Sequence, residues 1–185
     1  MGVAGFGCVF LGSDEELQRS VAVKVPNPER FERKGEAESF LTEARLVAGL
    51  DHPHIVPVHD VGRTSDGAIY IVSKFVEGVT LEERLARGRL AFADCGRLLI
   101  PIAEALHHAH QRRLVHRDVK PGNILIEERT KHPYITDFGL AVRDQDVQVA
   151  GLIAGTPSYM SPEQARGEGH RLDGRSDVFA LGAIL

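Results

Sequence analysis

HRDVKPGN at residues 116–123, followed by TDFGLA at residues 136–141, decides how this chain folds and what chemistry it can carry. Asp118 precedes Asn123 by five residues, and Asp137 follows a stretch, residues 124–136, that reads as a hairpin. In a tight loop such side chains converge on one point. The order then reads as one catalytic base and two oxygen ligands for a hard cation such as magnesium.

Phosphoryl transfer from a nucleotide triphosphate asks for that set. The moving group spreads developing charge over three oxygens, so catalysis rests on positioning and neutralisation. Asp118 would accept or orient the proton of an attacking hydroxyl, and Lys120 would hold a positive charge beside the phosphate. HRD alone fits any solvated polar loop. HRDxKPxN with a downstream DFG is far more specific.

On these residues the chain resembles protein kinase domains of the serine/threonine kind found in bacteria, and the resemblance covers essentially every residue present without making up a whole domain. It implies an α+β, protein kinase-like, two-lobed fold, incomplete at both ends. Residues 1–76 would form a small antiparallel β lobe with one helix and the hinge. Residues 77–185 would form the first part of a mainly helical larger lobe, with ATP and Mg2+ in the cleft between them. The resemblance implies Asp118, Lys120, Asn123 and Asp137 as catalytic residues, with Asn123 and Asp137 holding the metal.

GVAGFGCVF from Gly2 resembles the glycine-rich nucleotide loop. Gly2 and Gly7 stand at its first and third glycine positions, with Ala4 at the second and Gly5 beside it. Glycine lets backbone amides approach phosphates closely. The methyl group of Ala4 is therefore expected to weaken nucleotide binding without abolishing it.

Val21 to Val25 reads as a strand, and a lysine within it, Lys24, needs a partner if it is buried. The resemblance supplies Glu43, in a helical segment with Phe40, Leu41, Ala44, Val47 and Ala48 on its apolar side. The plainer alternative for Glu43 is a solvated helix-face charge. Lys24 would hold the α- and β-phosphates, and Val9, Ala22 and Leu125 would enclose the adenine. AIYIVSKFVEG from Ala68 reads as a strand running into the hinge. The family pattern puts Ser73 at the gatekeeper position and Lys74 to Val76 in the hinge, where Lys74 replaces a more usual acidic residue.

GTPSYMSPEQ at residues 155–164 resembles the substrate-docking end of an activation segment, with Ser161-Pro162-Glu163 where Ala-Pro-Glu is common. Thr156 would contact Asp118 and Lys120, and Lys120 favours serine or threonine acceptors. The preceding LAVRDQDVQVAGLIAG has no serine, threonine or tyrosine. Arg117, which ordinarily receives a phosphate from this segment, then has no obvious acceptor residue to meet. Asp144 and Asp146 could stand in as fixed charges, and activity independent of phosphorylation is expected.

The remaining elements read as helices over about Glu38 to Leu50, Leu81 to Arg87 and Asp94 to Arg113. DHPHIVPVHDVG, at residues 51–62, reads as the connection into the next strand. His116 is expected to stack with Phe138, Val58 and Val47. Asp177 is expected to pin the HRD backbone. DVFALGAIL is apolar on every side and reads as a core helix whose covering elements, with an arginine partner for Glu163, would lie beyond the chain. The piece alone is accordingly expected to be unstable or to aggregate.

With 43% hydrophobic and 26% charged residues the chain can build a core. A net charge of −4 gives no basic footprint for nucleic acid. Two unpaired cysteines, Cys8 and Cys95, suit a reducing compartment. His107, His108, His110 and His116 could suggest a metal, but a closed zinc site wants four ligands and distant cysteines complete none. No stretch approaches the ~20 apolar residues that cross a bilayer, and MGVAGF fails the myristoylation pattern. The expected location is cytoplasmic, alone or as the cytoplasmic domain of a longer membrane-anchored parent. Three functions compete: an ATP-dependent kinase acting on serine and threonine of protein substrates, a pseudokinase or nucleotide-sensing scaffold, and a small-molecule phosphotransferase. GTPSYMSPEQ favours a protein substrate over a small molecule.

Overall fold

The computed structural model describes residues 2–4, 7–31, 35–138 and 157–185. They form two compact units, one built from residues up to 51 with residues 56–76, the other from residues 52–55 and 77–185. The architecture is mixed α+β.

In the first unit, alternating β-branched residues make strands. Strand β1 (Gly2–Ala4), β2 (Gly7–Asp14), β3 (Arg19–Pro26), β4 (Val58–Arg63) and β5 (Ile69–Lys74) form an antiparallel sheet in the order β1-β2-β3-β5-β4. Gly7 opens β2 opposite Pro26 with φ at 140°. A Cβ there would sit 2.3 Å from the Val25 carbonyl oxygen, so only glycine fits.

Residues 58–63 differ from the sequence expectation. They form β4 and are not merely a connection. VHDVGR lacks a β-branched run, but β4 is an edge strand paired only with β5 and needs only one apolar face.

Helix α1 (Glu36–Ala48) starts slightly earlier than expected and buries Phe40, Leu41, Ala44 and Val47. Ala48 is exposed, contrary to the expected apolar stripe. Arg63 Nη2 meets Glu38 Oε1 at 2.6 Å and ties β4 to α1.

The second unit carries a small antiparallel sheet, β6 (Gly78–Thr80), β7 (Ile124–Glu127) and β8 (Pro133–Ile135). Helices α2 (Leu81–Ala86) and α3 (Phe92–Gln111) accompany it. Helix α3 buries Leu99, Ile102, Ala105, Leu106 and Ala109, the stripe expected of a helix with one apolar face. Residues 52–55 join this unit through β8. Ile135 N–H donates to the His54 carbonyl at 2.8 Å, and Ile55 bridges Ile135. The His54 ring donates from Nδ1 to the Pro133 carbonyl at 2.8 Å and stacks on His132 at 4.1 Å.

The last helix, Gly174–Ile184, is capped by Asp173, which accepts from Arg175 N–H at 2.9 Å. Its inward face is small and polar: Ser176, Asp177 and Ala180 are buried. Val178 and Phe179 are 63% and 47% exposed, in keeping with an apolar helix that the described residues cover on one side.

Candidate active site

The site in the second unit is built around a buried carboxylate. Asp177, 1% exposed, accepts from His116 N–H on Oδ2 and from Arg117 N–H on Oδ1, each at 2.8 Å. His110 donates from Nε2 to the same Oδ2 at 2.7 Å. A buried charge is tolerable only when its lone pairs are filled this way. Gly174 makes the arrangement possible, since a Cβ on it would lie 2.6 Å from His110 Nδ1.

These bonds hold Arg117 at φ 67°, a left-handed conformation that costs a non-glycine residue about 1 kcal/mol or more. Gln164 adds a second clamp, donating from Nε2 to the Arg117 carbonyl at 2.7 Å. Gln164 is itself fixed by a capping box with Ser161 at the start of the short helix Pro162–Ala165. His116 is fully buried. Its Nε2 donates to the Thr136 carbonyl at 2.8 Å, its Nδ1 accepts from Asp118 N–H at 3.3 Å, and its ring lies 4.7 Å from that of Phe138. The expected stack on Phe138 is present; Val47 and Val58 belong to the other unit.

The loop brings Asp118, Lys120 and Asn123 together. Lys120 Nζ is 2.7 Å from Asp118 Oδ2. Asn123 Nδ2 donates to the same oxygen at 3.0 Å and to the Asp118 carbonyl at 2.7 Å. Using both amide protons inward leaves Asn123 Oδ1 as the acceptor that can serve a cation. Thr136 N–H donates to the Asn123 carbonyl at 3.0 Å, linking the loop to the residue before Asp137. Asp137 follows at φ 64°, which aspartate tolerates better than most residues. A narrow crevice beside Asp118 is lined by Arg117, Tyr159, Gln164 and Ala180.

In the first unit, Val9 pairs with Lys24 across β2 and β3, and Ala22 pairs with Ser73 across β3 and β5. Paired residues share a sheet face, and so do Ala22 and Lys24, two apart on one strand. Val9, Ala22, Lys24 and Ser73 therefore present one surface. Lys24 and Glu43 are half-buried, and each has an interaction partner. Lys74 N–H donates to the Pro57 carbonyl at 2.9 Å, and Val76 is buried. Leu125 lies on β7 of the second unit. Gly2 pairs with Val9 and Gly7 with Ala4. Gly5, Asp144, Asp146 and Thr156 lie outside the described residues.

Glu163 accepts from Ser176 Oγ at 2.6 Å, so a hydroxyl is its partner among the described residues. That bond is the main cause holding its carboxyl below the usual range, against a smaller opposing effect of burial.

Three contributors escape a reading of the motifs: His110, Gln164 and Ser176. His110 carries a usable signal, because it stands four residues after Leu106 on the buried stripe of α3, where a polar residue must find a buried partner.

The description "Protein kinase domain" fits residues 1–185 as a family match. The serine/threonine-protein kinase PrkC of Bacillus subtilis is 38% identical over 191 residues, covering 100% of this chain and 28% of that protein. PknA of Mycobacterium tuberculosis, also a serine/threonine-protein kinase, is 42% identical over 187 residues, covering 97% of this chain and 43% of that protein. The crystal structure of the Mycobacterium tuberculosis PknI kinase domain superposes with a TM-score of 0.81 at 31% identity, covering 98% of this chain and 68% of that one. The chain thus spans less than half the length of these two curated relatives.

Proposed function

Since the chain belongs to the protein kinase family, and to its bacterial serine/threonine branch, we propose that it transfers the γ-phosphoryl group of ATP to serine or threonine hydroxyls of protein substrates. The observation that carries this is the Asp118 carboxylate, held by Lys120 and Asn123 on a loop whose backbone Asp177 fixes. Asp118 accepts or orients the proton of the attacking hydroxyl. Lys120 neutralises charge on the phosphate, and its contact with Asp118 keeps base and cation adjacent before substrate arrives.

Asn123 Oδ1 and the Asp137 carboxylate suit Mg2+, a hard cation that takes oxygen ligands. Bound there, Mg2+ would neutralise the phosphate oxygens. In the nucleotide site we assign Gly2, Gly5 and Gly7 to the phosphates, Lys24 with Glu43 to the α- and β-phosphates, Val9, Ala22 and Leu125 to the adenine faces, and Ser73, Lys74 and Val76 to the adenine edge. Residues 1–76 and 77–185 are the corresponding lobes. The reaction belongs in the cytoplasm, where ATP is available; no helix among the described residues is long and apolar enough to cross a membrane.

Ala4 at the second glycine position favours one other reading, a nucleotide-sensing scaffold that binds ATP without transferring it. Labelled ATP with magnesium and a generic protein substrate separates the two. Transfer that disappears in Asp118→Asn supports the kinase; nucleotide binding with no transfer supports the scaffold.

A further inference from the structure

The side-chain amide of Gln164 is used at both ends, and each end holds a different part of the second unit. Its Oε1 accepts from Ser161 N–H at 3.1 Å, while Ser161 Oγ accepts from Gln164 N–H at 3.4 Å, closing the capping box of the helix Pro162–Ala165. Its Nε2 donates to the Arg117 carbonyl at 2.7 Å. A carbonyl oxygen only accepts and a backbone N–H only donates, so these two contacts leave one orientation for the amide. A capping box takes glutamate as readily as glutamine at this position. The contact with Arg117 does not, because it needs a donor that an ionised glutamate lacks. The cap therefore explains an acceptor at residue 164 and leaves the amide nitrogen unexplained.

That nitrogen reaches the peptide unit that leads into the base. The Arg117 carbonyl and the Asp118 N–H belong to one planar group, and this N–H donates to His116 Nδ1 at 3.3 Å. With Gln164 on the carbonyl, the plane is pinned at both of its polar ends, next to the Cα that carries the Asp118 carboxylate. Asp177 holds the plane before Arg117 through its N–H, and Gln164 with His116 holds the plane after it. Together they maintain the φ of 67° between the two. On its other side Gln164 grips Ser161, which directly follows Met160 at the end of the segment assigned to substrate docking. Tyr159, Met160 and Gln164 line the crevice beside Asp118 together with Arg117.

We propose that Gln164 is a positioning residue for the Asp118 base, tying the peptide unit that precedes it to the end of the substrate-docking segment. This deepens the kinase reading and rests on it. Gln164 acts through the Arg117 carbonyl and not on the reacting atoms. A base must meet the attacking hydroxyl at hydrogen-bond distance, and a misplacement on the order of 1 Å costs about a hundredfold in rate. Loss of the contact is therefore read in kcat and not in the binding of nucleotide.

Two variants separate the contact from the cap. Gln164→Glu keeps an acceptor for Ser161 N–H and loses the donor to Arg117. Gln164→Met keeps the length of the side chain and loses both, without adding charge. Hydrogen exchange followed by mass spectrometry reads the result without any transfer. In both variants residues 114–123 are expected to exchange about fivefold faster than in the parent chain, the effect of one lost hydrogen bond. Residues 161–167 should stay protected in Gln164→Glu and loosen only in Gln164→Met. Steady-state transfer to a peptide should show kcat lower by about tenfold in both variants, with KM for ATP within about twofold of the parent. Exchange of residues 114–123 at the parent rate in Gln164→Glu overturns the inference. So does a fall in kcat confined to Gln164→Met, which leaves the cap as the whole role of residue 164. If the parent chain transfers nothing, exchange still decides the positioning and the kinase reading alone is lost. If both variants transfer as the parent does, the kinase reading stands and the positioning is lost.

Discussion

His110 Nε2 stands 2.7 Å from the Asp177 carboxylate, which in turn holds the backbone N–H groups of His116 and Arg117. A residue of α3 is thereby coupled to the loop that carries Asp118. Replacing Asp177 with alanine strands buried donors, and a loss of roughly 3–5 kcal/mol is expected, as for a broken buried pair. Urea unfolding measures it. A variant as stable as its parent would show that the carboxylate is not the anchor.

Gly174 and Gly182 share one helix but face different surroundings. Alanine at Gly174 drives a methyl into the His110 ring, whereas nothing lies within 4 Å of a Cβ at Gly182. Gly174→Ala should destabilise by about 1–3 kcal/mol through overpacking. Gly182→Ala should stabilise by about 0.5–1 kcal/mol through helix propensity. Paired denaturation curves decide, and equal shifts of the same sign would contradict the packing around His110.

The Ser176 hydroxyl holds the Glu163 carboxyl below its ordinary value. A group whose pKa is depressed by folding adds stability that is fully present above its unfolded pKa and is lost as pH falls through the folded one. Ser176→Ala should therefore be less stable than the parent at neutral pH, and the gap should narrow as the solution is acidified below the normal glutamate range. A gap independent of pH would mean that the hydroxyl does not act through the carboxylate.

Ser73 pairs with Ala22 across the sheet and offers a small side chain at the position assigned to the gatekeeper. Adenine-analogue inhibitors with bulky substituents should inhibit the chain more strongly than a Ser73→Met variant. Equal inhibition would show that the small side chain at residue 73 makes no room for the added substituent.

Much of this was readable because it is local. Asp118, Lys120 and Asn123 meet within a few residues of chain, and spacing alone brings their side chains into hydrogen-bond range. Val9, Ala22, Lys24 and Ser73 share a face because strand pairing obeys a period of two. The partner of His110 was hidden for the opposite reason, lying 67 residues away in sequence. Strand β4 escaped because an edge strand tolerates polar residues such as His59 and Asp60. The exposure of Val178 and Phe179 was readable, because a helix apolar on every side needs more cover than the preceding residues supply.

Residues 52–55 belong by their bonds to the unit that otherwise begins at residue 77, while the chain on either side of them belongs to the other. The two parts are therefore interlaced along the polypeptide, like threads crossing more than once in a weave. No single protease nick yields both intact: severing the chain after Val76 would carry away the short piece that caps β8, leaving Ile135 N–H and the Pro133 carbonyl bare.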